Sequence, residues 1–258
     1  MVEIKHAYPT PLGSPSFLRL GPMTQSAANW SQYWDTQSDM GDDAWRKNAE
    51  LFLAGSEAFF PLSSQDRVLD IGSGPGFLAE MIRERVRHVH CVDTSPRFVE
   101  AGRKRLAGAR NVMFTLLGPD YLDYSFLAGE KFTRIGCASV IQYFKSTEEV
   151  RSLIAMAQAH ALPGALMLIA DIPEPRPFLK DLAGLLRTAW RQRYLLKVLR
   201  FTLRSLWSDY SRLRKQVGLL TVKRDDLDAI VAGLGARGEW ITAPLTLNDS
   251  RRHLLIHF

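Results

Sequence analysis

Short apolar runs alternate with helical patterns through the middle of this chain. Five of the runs have the length and composition of β-strands: RVLDI, HVHCVD, NVMFTLL, RIGCASVI and ALMLIADI. Between them, segments such as PRFVEAGRKRLAGA and TEEVRSLIAMAQAHAL place apolar residues at helical spacing, and the first begins with a proline that suits the first turn of a helix. Strands that alternate with helices predict a mostly parallel sheet with helices on both faces.

The two ends of the chain depart from this alternation. The first twenty or so residues are rich in Pro, Gly and Ser, which predicts a loosely ordered arm, and residues 42–60 have the apolar spacing of a helix. After a largely helical segment, one more helix and the runs GEWITAPLTL and RRHLLIHF predict a closing hairpin at the sheet edge. We therefore expect one domain over residues 1–258 with four parts: an arm and cap (1–60), a core (66–173), a helical insertion (174–220) and a closing helix with its hairpin (221–258).

A glycine-rich turn follows the first strand. In VLDIGSGPG, Gly72, Gly74 and Gly76 separate this strand from a helix, and Asp70 stands at the end of the strand. Glycines allow a tight turn that brings the backbone close to a ligand, at the edge of the sheet where doubly wound folds bind their ligands. The nicotinamide dinucleotide fingerprint requires glycine where Phe77 stands, and Asp70 would repel a pyrophosphate. The turn therefore indicates a ligand other than a dinucleotide.

Asp93, at the end of the second strand, narrows the choice of ligand. A carboxylate there can accept hydrogen bonds from ribose hydroxyls, and Asp70 would favour a positively charged sulfonium. The segments VLDIGSGPG and CVDTS resemble the first two motifs of class I S-adenosylmethionine-dependent methyltransferases, and the resemblance covers about residues 67–171. It implies a Rossmann-like, doubly wound, mostly parallel seven-stranded sheet with an antiparallel edge strand, an N-terminal helical cap and a helical insertion after the fifth strand.

This resemblance implies that the chain binds S-adenosylmethionine and releases S-adenosylhomocysteine. Asp70, Gly72 and Gly74 match residues that contact the methionine half, and Asp93 matches the residue that binds the ribose. The implied cofactor contacts are Tyr33, Asp70, Gly72, Ser73, Gly74, Gly76, Asp93, Thr94, Ser95, Asp120, Tyr121, Ala138 and Ser139. Pro119 departs from the family pattern, in which the adenine-contacting acid directly follows a glycine.

The N-terminal segment NWSQYWD has two interpretations. It resembles the segment that many small-molecule methyltransferases fold over the cofactor, so that Tyr33 and Trp34 would close the site and Trp34 would contact the acceptor. Alternatively, Trp30 and Trp34 are the apolar stripe of a short helix, since they stand four residues apart. The sequence leaves both interpretations open.

Candidates for acid–base chemistry come from the strand ends. Gln142 and Tyr143 follow the fourth strand, and Asp171 follows the fifth. Methyl transfer is an in-line displacement in which alignment supplies most of the catalysis, so a base is optional. Asp171 can equally cap the turn after its strand. We expect no metal ion, because no group of His, Cys and Asp residues has the spacing of metal ligands along the sequence.

One segment, residues 187–215, carries the positive charge of the chain. It holds nine Lys or Arg and one acid, whereas 24 basic and 26 acidic residues remain elsewhere, so the net charge of +6 is local and no nucleic-acid partner is expected. A cationic seam lies along this predicted helix and consists of Arg193, Lys197, Arg200 and Arg204. The seam could bind an anionic group of the acceptor, since insertions after the fifth strand build the acceptor pocket in the family. It could also dock on an anionic membrane surface, or belong to a helix packed on the core or on a second copy of the chain.

Cys91 and Cys137 lie in predicted strands, which predicts buried free thiols in a reducing compartment. The N-terminus lacks the pattern of a signal peptide, and we expect a cytoplasmic protein, peripheral to the membrane if residues 187–215 dock there. We interpret the chain as a methyltransferase of a small, hydrophobic acceptor, at oxygen, as in natural-product biosynthesis. The alternatives are a methyltransferase of a membrane-borne lipid, quinone or glycolipid, and a cofactor-binding interaction module without catalysis.

Overall fold

The apolar runs form a single mixed β-sheet. The computed structural model describes residues 29–36, 42–175, 209–248 and 251–258. Its strands are β1 (Arg67–Ile71), β2 (His88–Asp93), β3 (Val112–Leu116), β4 (Phe132–Ala138), β5 (Ala161–Ile172), β6 (Arg237–Ile241) and β7 (Arg252–His257). Within the described residues the sheet has seven strands in the order β3-β2-β1-β4-β5-β7-β6. β1 to β5 are parallel, and β7 runs antiparallel to β5 and β6, which confirms the predicted sheet and its closing hairpin.

Helices cover both faces of this sheet. They are α1 (Trp30–Thr36), α2 (Asp42–Ser56), α3 (Phe77–Ile82), α4 (Pro96–Arg105), α5 (Thr147–Ala159), α6 (Asp209–Gln216) and α7 (Arg224–Gly233). On one face, α2, α3 and α4 pack buried side chains such as Phe52 and Ile82 against the strands. On the other face, α5 and α7 contribute Leu153 and Leu227 to the largest apolar cluster. The doubly wound arrangement predicted from the sequence is therefore confirmed.

The carboxyl ends of the parallel strands meet at one edge of the sheet. The register pairs Asp70 with Cys91 and Asp93 with Leu116, so β1 and β2 end beside each other. The two helices α1 and α6 lie together, where Trp30, Tyr33 and Leu213 form a separate buried cluster. Helix α6 is the described part of the predicted insertion after β5, and the rest of that insertion, with Arg193, Lys197, Arg200 and Arg204, lies outside the described residues.

Both cysteines are free and buried, as predicted. Cys91 lies in β2 and Cys137 in β4, so each thiol stands among apolar neighbours of the sheet. Across the described ranges, no helix has the length and apolar character that are needed to cross a membrane.

Close packing between α4 and β3 requires glycine at position 102. A side chain there would overlap the ring of Phe114, and one at Gly76 would approach the same ring within 2.7 Å. We expect Gly102→Ala to lower the free energy of unfolding by about 1–3 kcal/mol, because overpacking outweighs the better helix propensity of alanine. Urea denaturation measures this difference.

Gly108→Ala is the matched control for this substitution. No atom lies within 4 Å of the added carbon at position 108, so stability should change by less than about 0.5 kcal/mol. Equal stability of Gly102→Ala and the wild type would contradict the packing described for Phe114.

Candidate active site

The turn between β1 and α3 is built from glycines in the left-handed backbone region. The φ angles are 68° at Gly72, 53° at Gly74 and 80° at Gly76, a region that other residues enter only at a cost. The N–H groups of Gly72 and Ser73 donate to the carbonyl oxygen of Val92, at 2.8 and 3.1 Å. The turn is thereby fixed to β2, next to Asp93.

Two side chains from other elements lie against this turn at its glycine positions. A Cβ atom at Gly72 would overlap Val140, which follows β4. A Cβ atom at Gly74 would lie 3.5 Å from the ring of Trp45, which belongs to α2. The turn therefore presents backbone groups between Val140 and Trp45.

Two carboxylates are buried beside the turn. Asp70 is 5% exposed and Asp93 is 8% exposed. Asp93 Oδ2 accepts a hydrogen bond from Gly74 N at 2.8 Å, and Asp93 Oδ1 accepts one from Ser95 N at 2.9 Å. Asp70 Oδ2, in contrast, is buried and has no hydrogen-bond partner in the described structure. Asp93 thus holds the glycine turn in place, whereas one carboxylate oxygen of Asp70 remains able to accept a hydrogen bond.

Burial raises the pKa of both carboxyl groups. For Asp70, burial and secondly the charge of Asp93 raise the pKa from 3.8 to about 7. For Asp93, burial raises the pKa to about 6, although hydrogen bonds from Ser95, Gly74 and Thr94 act in the opposite direction. Two acids whose ionised forms are disfavoured in this way would be stabilised by a cationic ligand.

Helix α1 carries an aromatic cluster to the same edge of the sheet. The ring of Trp34 lies 5.8 Å from Trp45, 5.7 Å from Tyr143 and 6.3 Å from Phe98, measured between centroids. Tyr33 is buried against Trp34 and Trp30. Helix α1 thus has a packed apolar stripe. Trp34 in this stripe contacts Trp45, whose ring lies against the glycine turn.

A hydrogen bond attaches α1 to the start of α4. Asp35 Oδ1 accepts from the backbone N–H of Arg97 at 3.3 Å and lies 3.5 Å from Ser95 Oγ. Ser95 is itself the N-cap of α4, since its side chain accepts from Phe98 N. The contact places α1 directly beside the segment that follows Asp93.

The ends of β4 and β5 are joined by a strained polar pair. Ser139 and Asp171 have φ angles of 61° and 65°, which are costly for residues other than glycine. Ser139 Oγ donates to Asp171 Oδ2 at 2.7 Å, and Arg251 Nε lies 3.6 Å from Asp171 Oδ1. The Asp171 N–H donates to His253 Nδ1 at 3.1 Å. Asp171 thus lies within β5, where the pairing with β7 is irregular, and not after the strand as predicted. Its role as a base stays a prediction.

Gln142 and Tyr143 differ in what they offer to a substrate. Gln142 is buried, and its Nε2 donates to the backbone carbonyl oxygen of Ser139 at 3.3 Å. The backbone carbonyl oxygen of Gln142 accepts from Leu220 N. Tyr143 is half-buried and contacts the rings of Trp30 and Trp34. Of the two, Tyr143 is the one that faces the aromatic cluster.

Two predicted adenine contacts, Asp120 and Tyr121, lie on the loop after β3. Asp120 is exposed and accepts from Leu122 N at 3.1 Å. Tyr121 donates its hydroxyl to Glu149 at 2.7 Å and packs on Phe144, so it faces the start of α5. The loop itself begins beside the cofactor edge, because Leu117 N donates to the carbonyl oxygen of Asp93. Contact of Asp120 and Tyr121 with a ligand stays a prediction.

Sequence reasoning missed three residues that the fold brings to this site. Trp45 was assigned to the apolar face of its helix, Val140 to a strand, and Asp35 received no role. Each comes from an element distant in sequence from the glycine turn, so no local pattern connects it to the site. The density of tryptophan between residues 30 and 45 was the one available signal.

Comparison with known proteins agrees with this geometry. The family described as "Methyltransferase domain" matches residues 68–164, which include the glycine turn and Asp93. The match spans 97 of the 258 residues of this chain and identifies a methyltransferase domain within them. A curated relative, chondramide synthase cmdD of Chondromyces crocatus, is 32% identical over 108 residues, which are 41% of this chain and 3% of cmdD. The methyltransferase chain therefore spans only a small part of the length of that relative.

Solved structures show the same methyltransferase fold. CalS10, an amino pentose methyltransferase from Micromonospora echinaspora solved with S-adenosylmethionine, has a TM-score of 0.54 at 16% identity, over 88% of this chain and 94% of CalS10. NodS, an N-methyltransferase from Bradyrhizobium japonicum solved with S-adenosylhomocysteine, has a TM-score of 0.54 at 14% identity, over 88% of this chain and 95% of NodS. At these identities the likeness concerns the fold.

The buried carboxylate of Asp70 should lower the stability of the ligand-free methyltransferase. Because its folded pKa of about 7 lies above the ordinary 3.8, the folded state binds the proton more tightly than the unfolded state, and stability falls as the pH rises from about 4 to 7. We expect Asp70→Asn to raise the free energy of unfolding at pH 8 by at least about 1 kcal/mol, with a smaller gain at pH 5. Urea denaturation at the two pH values measures both.

Glu84→Gln is the control, because the Glu84 side chain is 81% exposed and its loss should change stability by less than about 0.5 kcal/mol. An Asp70→Asn protein that is less stable than the wild type at pH 8 would contradict the burial cost assigned to this carboxylate.

Proposed function

We propose that the protein is an S-adenosylmethionine-dependent methyltransferase whose acceptor is a small, largely hydrophobic molecule. The observation that carries the proposal is the buried pair Asp70 and Asp93 beside the glycine turn, within the matched methyltransferase domain. This pair lacks a hydrogen bond at Asp70 Oδ2 and would be stabilised by a cationic ligand.

The residues around the turn fit this cofactor. When bound, S-adenosylmethionine supplies a methyl group on a positively charged sulfur. Asp70 would balance the positive charge of the methionine half, and the turn at Gly72 and Gly74 lets the backbone approach a ligand closely. Asp93 would accept from ribose hydroxyls, because its two oxygens offer about four acceptor positions and the N–H groups of Gly74, Ser95 and Thr94 occupy three of them.

The aromatic cluster supports a hydrophobic acceptor. Trp34, Trp45 and Tyr143 place apolar rings next to the cofactor turn, and these rings would exclude water from the reacting groups. Aromatic faces also favour positive charge, which suits a sulfonium. The relative CalS10 takes part in calicheamicin biosynthesis, and we extend from it a role of this chain in natural-product methylation.

Catalysis would depend mainly on alignment of the acceptor. Ser139 and Arg251 both engage Asp171, so we assign Asp171 a part in holding the loop after β4 over the turn. Tyr143 could orient an acceptor through its hydroxyl. Oxygen as the methylated atom, the contact of Arg193, Lys197, Arg200 and Arg204 with an anionic group, a membrane surface at residues 187–215 and a homodimer stay predictions.

Calorimetric titration with S-adenosylhomocysteine tests the cofactor part of the proposal. We expect a dissociation constant in the micromolar range for the wild type and at least tenfold weaker binding by Asp93→Ala, a loss of about 1.4 kcal/mol, because the turn loses its anchor and the ribose its acceptor. Asp226→Ala, an exposed acid on α7, should bind like the wild type. Wild-type protein that binds neither S-adenosylhomocysteine nor S-adenosylmethionine would exclude the methyltransferase function.

Transfer of a labelled methyl group tests the class of acceptor. Purified enzyme, S-adenosylmethionine labelled in its methyl group and a cell extract are incubated, and the products are divided into organic-soluble, protein and nucleic-acid fractions. The hydrophobic-acceptor proposal predicts label in the organic-soluble fraction with the wild type and much less label there with Asp93→Ala when the cofactor concentration is limiting. Label confined to protein or nucleic acid would refute the small-molecule acceptor.

A further inference from the structure

A second group of polar side chains lies away from the cofactor edge. His88 and His90 of β2 and Glu130, just before β4, each offer one ligand atom, and these three atoms lie within 4.8 Å of one another. No spacing in the sequence connects these residues, because Glu130 is far from the two histidines along the chain. The expectation of no metal ion concerned ligand spacing along the sequence, which a group assembled by the fold does not show.

The sheet explains how the group forms. His88 and His90 project from the same face of β2, because side chains two residues apart in a strand share a face. β1 lies between β2 and β4, and Arg67 of β1 pairs with His88 in the register. Arg67 Nη2 lies 3.1 Å from Glu130 Oε2, which holds this carboxylate above β1 and leaves its other oxygen 3.5 Å from His90 Nδ1.

Two nitrogen atoms of the group lack partners. His90 is 1% exposed, and its Nδ1 has no hydrogen bond within the described residues, as is also true of His88 Nε2. A buried polar atom without a partner destabilises the folded state. His90 Nε2 lies 2.9 Å from Thr115 Oγ1. When Nε2 donates to Thr115, Nδ1 directs a lone pair at the carboxylate oxygen, and a cation between the two acceptors would stabilise both.

We propose that His88, His90 and Glu130 form a binding site for a divalent transition-metal ion of the zinc type. Two imidazoles and one carboxylate are a ligand set that zinc commonly takes, with a fourth position for water. The separation of 3.5 Å between His90 Nδ1 and Glu130 Oε1 is close to the roughly 3.3 Å between neighbouring ligands of a tetrahedral zinc ion. The Glu130 side chain is 25% exposed, so the open position faces solvent.

The surroundings of the site favour ligand function. Burial is the largest cause that lowers the pKa of His88 and His90, which disfavours the protonated form of each imidazole. Thr115 and Arg67 act as outer partners that orient His90 and Glu130. The positive charge of Arg67 opposes a second cation, so we expect micromolar affinity, weaker than that of dedicated zinc proteins.

The ion would have a structural role. β2 rises about 3.3 Å per residue, so His88 lies roughly 17 Å from Asp93 at the opposite edge of the sheet. A metal ion at the group would link β2 to the segment that leads into β4, without reaching the reacting groups. Its binding and the methyltransferase function can therefore be tested independently.

Titration of the untagged, chelator-treated full chain with Zn²⁺ tests this inference. We expect one equivalent to bind with a micromolar dissociation constant and the melting temperature to rise with Zn²⁺ concentration. Co²⁺ should give the visible absorption of a tetrahedral site. Binding of S-adenosylhomocysteine should be unchanged by the metal.

Three variants assign the ion to this group. His90→Ala and Glu130→Gln should each weaken Zn²⁺ binding at least tenfold. His257→Ala should not, although His257 Nε2 also lies 3.6 Å from a glutamate, Glu239. Should His90→Ala fail to fold, Glu130→Gln decides, because Glu130 lies in a loop and is partly exposed. Wild-type affinity no better than millimolar, or an unchanged affinity in Glu130→Gln, would overturn the site.

Discussion

The buried pair of carboxylates at the ends of β1 and β2 is the constraint on which the rest of the active site depends. The parallel register pairs Asp70 with Cys91, so that Asp93 lies two residues further along β2, and the hydrogen bond from Gly74 to Asp93 fixes the turn beside both carboxylates. In the ligand-free protein this arrangement is costly, because burial and mutual repulsion raise the pKa of Asp70 to about 7. A stable fold tolerates such a cost where a bound ligand offsets it, and a cofactor with a positive charge and a ribose does so at these two positions.

The other features of the site cover the edge of the sheet at which Asp70 and Asp93 lie. Three glycines let the turn adopt left-handed backbone angles, and Val140 and Trp45 lie against it from the segment after β4 and from α2. Helix α1 extends this cover through Trp34. Ser139, directly after β4, and Asp171, near the end of β5, have backbone angles that are unfavourable for residues other than glycine. The buried carboxylates and the backbone groups of the glycine turn thus lie next to aromatic rings, and this arrangement suits transfer of a methyl group to an apolar molecule.

How much the sequence could predict depended on whether the relevant residues were neighbours in the chain. The alternation of strands and helices, the glycine turn and Asp93 are local patterns, and the sheet order and the family match confirmed the fold and the kind of domain that they predicted. Contact of the turn and of Asp93 with the cofactor stays a prediction. Trp45 reaches the turn only through the packing of α2, and Glu130 meets His90 only because β4 lies next to β1. Contacts of this kind depend on strand order and on loop geometry, and neither produces a recognisable residue spacing in the sequence. The cationic seam within residues 187–215 keeps its three interpretations, because its four basic residues lie outside the described residues.

The exchange of protons on cofactor binding tests the central claim most directly. S-adenosylmethionine is titrated into the protein at pH 6.5 by calorimetry in two buffers of different ionisation enthalpy, and again at pH 8.5. If the positive charge of the ligand drives Asp70 to ionise, a substantial fraction of a proton is released at pH 6.5 and almost none at pH 8.5, and Asp70→Asn abolishes the release. Binding without proton release at pH 6.5 would contradict the account of a buried acid that awaits a cationic ligand.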